Sequence, residues 1–127
     1  MIYRSAVVSA CFAVCLTAGL ACAHPHGNSE PQPEAVALEV ENHNWSDIVI
    51  YVVHDGSTHR FMSIGAARSL TVALEPRFIS SDGNVRFIAH RVGGQDDYYS
   101  PSVSVRTGAT VALTLQPELN MSSIGVW

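Results

Sequence analysis

The chain has 127 residues, which is enough for one domain, and 47% of them are hydrophobic. It contains no lysine and its formal charge at pH 7 is −4, so Schiff-base and phosphate-loop lysine chemistry is excluded and nucleic acid is not attracted. The three cysteines are Cys11, Cys15 and Cys22, so everything beyond residue 22 lacks both a disulfide and a cysteine–zinc site. We therefore expect a modest domain held by its apolar core alone.

The N-terminal part of the chain has the pattern of an export leader. Arg4 supplies a positive charge, residues 6–21 are small and apolar, and residues 24–34 are polar and proline-containing. The apolar run is short for a membrane span. We predict a leader over residues 1–23, a flexible linker over 24–34 and a domain over 35–127. The protein is then exported: periplasmic, anchored as a lipoprotein, or secreted.

Two processing sites are compatible with this leader. Ala21-Cys22-Ala23 fits a small-x-small signal peptidase site and leaves His24 as the first residue. Leu20-Ala21-Cys22 instead fits the end of a bacterial lipoprotein box, in which Cys22 is lipidated, although Gly19 stands where leucine is usual. Membrane attachment is expected only through such a lipid at Cys22. Loss of Arg4 with either leader makes the formal charge −5.

The first predicted strand alternates, with Val36, Leu38 and Val40 on one face. The strongest strand signal follows at residues 48–53, six β-branched or aromatic residues that we expect to form a central, well-covered strand. Asp55-Gly56 then predicts a tight hairpin. Further strands are predicted over residues 58–64, 68–74, 85–92, 102–106, 109–115 and 121–127, with residues 98–101 as an irregular start of the sixth.

These elements predict an all-β fold. Turn signals recur every eight to twelve residues, and no segment shows helical periodicity. We predict an antiparallel β-sandwich of immunoglobulin-like or transthyretin-like size, with about seven to eight strands. An open barrel is the alternative. The Cys-Trp-Cys pattern of true immunoglobulin domains is absent.

The segment from Val36 to Trp127 resembles a group of small exported bacterial β-sandwich domains, often lipoproteins, to which no function is assigned. The resemblance rests on Asn42-His43-Asn44-Trp45-Ser46-Asp47 before the central strand, on the Asp55-Gly56 hairpin, on Gly108 entering a strand, and on the tail from Leu119. It implies an envelope location and a sandwich fold. It implies no catalytic residues.

A copper site at the mature N-terminus is the most pointed chemical hypothesis. Cleavage after Ala23 would give the chain an amine and an imidazole at His24, and His26 would supply a second imidazole, a donor set that suits Cu(II). Pro25 lacks an amide N–H, which weakens the backbone-nitrogen form of this motif. His24 and His26 are therefore candidate metal ligands, beside the reading that they are ordinary linker residues and that no cofactor is bound.

Histidines within the domain are a second set of candidate ligands. His43, His54, His59 and His90 could form a buried metal site. His54 and His59 flank the hairpin and could come close across it, but the spacing fixes no carboxylate or third ligand. The competing interpretation is surface histidines at strand ends. The sequence contains no nucleophile elbow and no glycine-rich phosphate loop, so we expect that the protein is not an enzyme.

Four aromatic side chains are candidates for a contact surface. We expect Trp45 to plug the core beneath the first turn, and Tyr98 and Tyr99, beside two aspartates, to be exposed for contact with a protein or a carbohydrate. Trp127 is the fourth candidate aromatic residue for a contact surface. The sequence as a whole predicts a non-catalytic binding or structural module whose partner is another envelope protein, met by a sheet edge or by the loop bearing Tyr98 and Tyr99. A periplasmic copper protein is the alternative and a carbohydrate-binding module ranks third.

Overall fold

The structure, a computed structural model, describes residues 34–127. Within this range the chain forms nine strands and two short 3₁₀ turns at Pro76–Phe78 and Leu119–Met121. The strands are β1 Val36–Asn42, β2 Ile48–His54, β3 Ser57–Ile64, β4 Ser69–Leu74, β5 Asn84–Arg91, β6 Asp97–Tyr99, β7 Val103–Ser104, β8 Thr110–Leu115 and β9 Ser123–Val126.

The strands form two sheets. Sheet A has the order β4-β1-β8-β9, and sheet B has the order β3-β2-β5-β6, with β7 pairing with the start of β5. The predicted all-β sandwich is confirmed, and β2 occupies the interior position expected of the longest β-branched run. In the described part of the chain no helix is long and apolar enough to cross a membrane.

One strand pair departs from the antiparallel prediction. β1 and β8 run parallel, with Leu38 opposite Val111 and Val40 opposite Leu113, while every other pair is antiparallel. Between them the chain forms β2 and β3 in sheet B, β4 in sheet A, and β5 to β7 in sheet B, and β8 then runs in the same direction as β1. Alternation of apolar and polar residues shows which face of a sheet a residue occupies, but it does not show whether the neighbouring strand is parallel or antiparallel. This pairing therefore could not be predicted from the sequence.

The core lies between the inner faces of the two sheets. Alternate residues of β1 and β8 are fully buried against alternate residues of β2 and β5. The largest fully buried side chains include Leu38, Val40, Ile48, Ile50, Val52, Phe87, Leu113 and Leu115. Because residues at i and i+2 share a face, the same alternation places Tyr51 and Ile88 on the outer face of sheet B.

A bulge in β3 changes which residues share that outer face. The register with β2 shifts between Ile50 and Tyr51, so that Met62 lies opposite Ile50 but Arg60 lies opposite Tyr51. Phe61 is the extra residue, and its ring meets Phe78 edge-on at 5.6 Å. The bulge therefore closes the core with Phe61 and leaves Arg60 facing outward beside Tyr51.

The strand count is nine because residues 97–99 form a strand of their own. β6 pairs with β5, with Ala89 opposite Tyr98, and the next residue bonds back twice: Ser100 N–H donates to the Phe87 carbonyl, and Phe87 N–H donates to Ser100 Oγ, both at 2.9 Å. Pro101 follows directly and cannot extend the ladder. The predicted irregular start of a longer strand is therefore a separate edge strand.

Candidate functional site

Residues 42–47, here called the Trp45 turn, join β1 in sheet A to β2 in sheet B. Asn42 is buried, and its side-chain amide donates to the carbonyls of Ser46 (3.0 Å) and Gly65 (2.9 Å). Its side-chain oxygen accepts from the N–H of Asn44 at 2.9 Å. These bonds fix the turn to itself and to the loop between β3 and β4. A buried amide with its polar atoms satisfied in this way favours one conformation.

Asn44 adds a second set of bonds to the same turn. It is also buried, its amide donates to the carbonyls of Gln116 (3.3 Å) and Pro117 (2.8 Å), and its side-chain oxygen accepts from Ser46 N–H at 3.0 Å. The Asn44 carbonyl accepts from Ala67 N–H at 3.0 Å. The two asparagines thus connect three loops at one end of the sandwich. Asparagine at a turn was the available signal, but its long-range partners were not predictable.

Trp45 directly follows Asn44 in this turn and projects away from the two buried asparagines. Its side chain is 84% exposed, more than any other large apolar side chain among the exposed residues of the described chain. The prediction that Trp45 plugs the core is wrong. The core is closed instead by aliphatic residues and Phe87, and the space beneath the turn is occupied by the asparagine amides. A rigid turn therefore presents a tryptophan ring to solvent.

The two adjacent tyrosines separate onto opposite faces of β6. Tyr98 is only 8% exposed and belongs to the core, so the prediction that it forms part of a contact surface is wrong. Tyr99 is 65% exposed on the outer face. The sequence placed both in a loop; once residues 97–99 form a strand, adjacent side chains must point to opposite faces.

Tyr99 belongs to a row of side chains that crosses the outer face of sheet B. Tyr99 pairs with Ile88, Ile88 with Tyr51, and Tyr51 with Arg60. We call these four residues the tyrosine row. Ile88 and Tyr51 are half-buried between the exposed ends, and together with Thr58 they line a shallow, open groove. The alternation in β2 and β5 supplied the signal for this row, but the bulge that aligns Arg60 was not predictable.

A hydrogen-bonded chain of polar side chains borders the tyrosine row. His90 Nδ1 lies 2.5 Å from Asp97 Oδ1, and the Tyr99 hydroxyl donates to Asp97 Oδ2 at 3.2 Å. His90 and Asp97 are cross-strand partners on the same outer face. The chain holds the Tyr99 side chain along β6, toward Asp97, and so fixes its ring relative to the groove.

The edge of sheet A at β4 presents backbone groups that pair with no other strand among residues 34–127. Asn42 N–H donates to the Arg68 carbonyl at 2.8 Å, so antiparallel alternation makes Leu70, Val72 and Leu74 the residues that bond to β1. The N–H and C=O groups of residues 69, 71 and 73 then point away from β1. β4 carries no charged residue and no proline, the usual protections of an edge strand.

Three groups in the described chain have perturbed acidities. Hydrogen bonds from the Asn84 side chain and N–H lower the pKa of Asp82, and a hydrogen bond from Arg91 lowers the pKa of Asp96. Burial raises the pKa of Tyr98. Asp82 and Asp96 lie in turns, and their partners are close in sequence, so these shifts describe turn geometry rather than a reaction centre.

Each histidine of the described domain lies beside a different neighbour. His43 lies beside Glu41, His54 beside Asp55, His59 against the Phe78 ring, and His90 beside Asp97. Within residues 34–127 no group of three or more His, Cys, Asp or Glu side chains could hold a metal ion. A site with three or more such ligands is therefore not formed by the domain histidines in this range. The candidate ligands His24 and His26 and the candidate lipidation site Cys22 lie outside the described residues.

Comparison with known proteins adds little to this geometry. No family model matches the chain, and no curated protein matches it. A solved structure that resembles it is the NMR structure of a protein from Eubacterium rectale, with 13% sequence identity and a TM-score of 0.47. That likeness covers 77% of this chain and 93% of the other.

Proposed function

We propose that this protein is an exported, non-catalytic binding module of the bacterial cell envelope, and that it docks another envelope protein on the Trp45 turn. The observation that carries the proposal is an exposed tryptophan on a turn fixed by two buried asparagines. The export leader predicted over residues 1–23 supports the location, and the predicted linker over 24–34 would give the domain reach from a membrane anchor at Cys22.

Tryptophan is among the residues that dominate binding energy at protein interfaces. Its ring buries 150–250 Å² when covered, about 4–6 kcal/mol of gross apolar stabilisation at about 25 cal/mol per Å². An exposed ring of this size carries a solvation cost that a partner would relieve. Because the hydrogen bonds of Asn42 and Asn44 already order the turn, binding loses little further backbone entropy.

The β4 edge extends the proposed surface. Ala67 N–H donates to the Asn44 carbonyl, and β4 begins two residues later at Ser69, so the edge starts at the same end of the sandwich as Trp45. An extended segment of the partner could pair with the outward N–H and C=O groups of residues 69, 71 and 73. Burial of the tryptophan would then provide most of the affinity, and pairing with β4 would fix the alignment of the partner segment.

Site-specific photo-crosslinking tests the proposal. A benzophenone amino acid replaces Trp45 in one variant and Trp127 in a matched control, since Trp127 is also an exposed tryptophan, at 68%, but lies on the outer face of sheet A. Both variants are produced in the source bacterium and irradiated in intact cells. We expect a discrete protein adduct at position 45 that is absent at position 127.

A second variant shows whether the adduct depends on the turn. Asn44→Ala removes the bonds to Gln116 and Pro117, so it should abolish the position-45 adduct while circular dichroism shows that the sandwich remains folded. Equal adducts at positions 45 and 127, or no adduct at 45, would contradict the proposal. An adduct unaffected by Thr71→Pro would remove the β4 edge from the docking surface and leave Trp45.

A further inference from the structure

We propose that the outer face of sheet B is a second, independent binding site, and that its ligand is an extended acidic oligosaccharide of β-1,4-linked uronate units. The site comprises the tyrosine row, with Arg86 and the His90–Asp97 pair at its margins. It lies on a different sheet from β4 and does not depend on the function proposed for the Trp45 turn.

The spacing of the two tyrosines is fixed by the sheet. Tyr51 on β2 and Tyr99 on β6 are separated by one strand, β5, so they stand about 10 Å apart, or two strand spacings. Ile88 fills the interval. Sugar rings have apolar C–H faces that stack on aromatic rings, and a β-1,4-linked chain extends as a flat ribbon. Such a ribbon can lie across a flat, open row of this kind.

This face carries two arginines beside the tyrosine row and one carboxylate, Asp97, which lines the groove next to His90. The chain is acidic overall, yet Arg60 ends the tyrosine row, and Arg86 lies to one side of it on β5, two residues before Ile88 and opposite Val53. Neither guanidinium forms an ion pair with a residue that the structure describes, although Arg60 donates one hydrogen bond to Ser63 Oγ at 3.1 Å. Arginine binds carboxylates through paired N–H donors, so two uncompensated guanidinium groups beside the row suit the carboxylates of uronate units.

The polar chain beside the row would orient the ligand. The Tyr99 hydroxyl is engaged by Asp97, and Asp97 is engaged by His90, so the ring is held in one position before a ligand arrives. The second imidazole nitrogen of His90, Nε2, remains for a sugar hydroxyl. A groove with aromatic walls, fixed polar groups and an open top suits a linear oligosaccharide better than a compact molecule that needs enclosure.

The contrast with sheet A supports the specificity of the arrangement. The outer face of sheet A carries Glu39, Glu41 and Trp127 around a comparable groove and no arginine. An acidic ligand would be repelled there. Trp127→Ala therefore provides a matched control, because it removes an exposed aromatic ring from the wrong face.

Isothermal titration of the folded domain with tetramannuronate, a β-1,4-linked uronate tetramer, tests the proposal. We expect saturable binding that weakens as salt is added. Tyr99→Ala should weaken it about tenfold or more through loss of one stacking ring, and Arg86→Gln should weaken it and reduce its salt dependence. Trp127→Ala should leave the affinity unchanged. Tyr99→Phe, which keeps the ring, should retain most of the affinity.

Two further probes separate the parts of the proposal. Cellotetraose has the same linkage without carboxylates and should bind several-fold more weakly; equal affinity would overturn the requirement for an acidic ligand. Tetraglutamate has the charge without sugar rings, and binding as tight as that of tetramannuronate would overturn the carbohydrate assignment. Failure of tetramannuronate to bind, or binding that Tyr99→Ala leaves intact, would overturn the site itself.

Discussion

The side-chain amide of Asn44 donates a hydrogen bond to the Pro117 carbonyl at 2.8 Å, and this bond joins residues 73 positions apart in sequence. It ties the turn after β1 to the loop after β8, the two strands that pair in parallel in sheet A. The parallel pair has no short connecting turn of its own. The Asn44 side chain therefore links the ends of these two strands, as a short turn would link an antiparallel pair. It also fixes the backbone that presents Trp45.

Replacement of Asn44 by alanine should destabilise the domain by about 2–3 kcal/mol, because it leaves buried carbonyl and amide groups without partners. Urea unfolding followed by circular dichroism measures the change. Asn120→Ala is the control, since Asn120 is exposed, and it should change the free energy of unfolding by less than about 0.5 kcal/mol. Equal effects of the two substitutions would show that the Asn44 bonds contribute little to stability.

Proline substitutions in β4 should distinguish its two sets of backbone groups. Thr71→Pro removes an N–H that points away from β1, so it should cost less than about 1 kcal/mol of stability. Val72→Pro removes an N–H that faces β1 opposite Leu38, and it should cost about 2 kcal/mol or more. Thermal unfolding of the two adjacent variants makes the comparison. The opposite order would mean that the deduced direction of the β4 edge is wrong.

Alkaline conditions should weaken the fold through Tyr98. Burial raises its pKa above the ordinary value of 10.0, so the unfolded chain ionises this phenol at a lower pH than the native protein does. The stability associated with neutral Tyr98 is therefore complete below pH 10 and is lost as the pH rises through the native pKa. Tyr98→Phe should unfold with a smaller dependence on pH between about 9 and 11. An identical dependence in both proteins would contradict this assignment.

Acid should weaken the turn between β5 and β6. The hydrogen bond from Arg91 holds the pKa of Asp96 below its ordinary value of 3.8, so the stabilisation by ionised Asp96 is present above that pH and is lost as the pH falls through the native value. Both side chains are partly exposed to solvent, so we expect a small effect that salt screens. The difference in urea midpoint between the native protein and Asp96→Asn should shrink below about pH 4. A constant difference would assign the effect to packing instead.

The sequence was informative where burial depends on local alternation, and less so where it depends on distant partners. The residues of β1, β2, β5 and β8 alternate or run apolar as sandwich strands do, and all four strands formed as predicted. The face occupied by Tyr98 and Tyr99 depended on whether residues 97–99 form a strand, which is set by pairing with β5. The prediction for Trp45 was wrong because its hydrophobicity indicated burial, whereas the fold buries the two asparagines that precede it, Asn42 and Asn44.

The N-terminus of the mature chain decides between a tethered binding module and a copper protein. Lipidation at Cys22 would make that residue the first and acylate its amine, so His24 could no longer offer an amine and an imidazole to Cu(II). We expect the intact mass of the membrane-associated protein to include a diacylglyceryl-sized addition on a chain that starts at Cys22, and Cys22→Ser should release the protein into the soluble fraction. A soluble native species that starts at His24 would contradict lipidation. Tight Cu(II) binding by that species, lost in His24→Ala and retained in His43→Ala, would then favour the copper function.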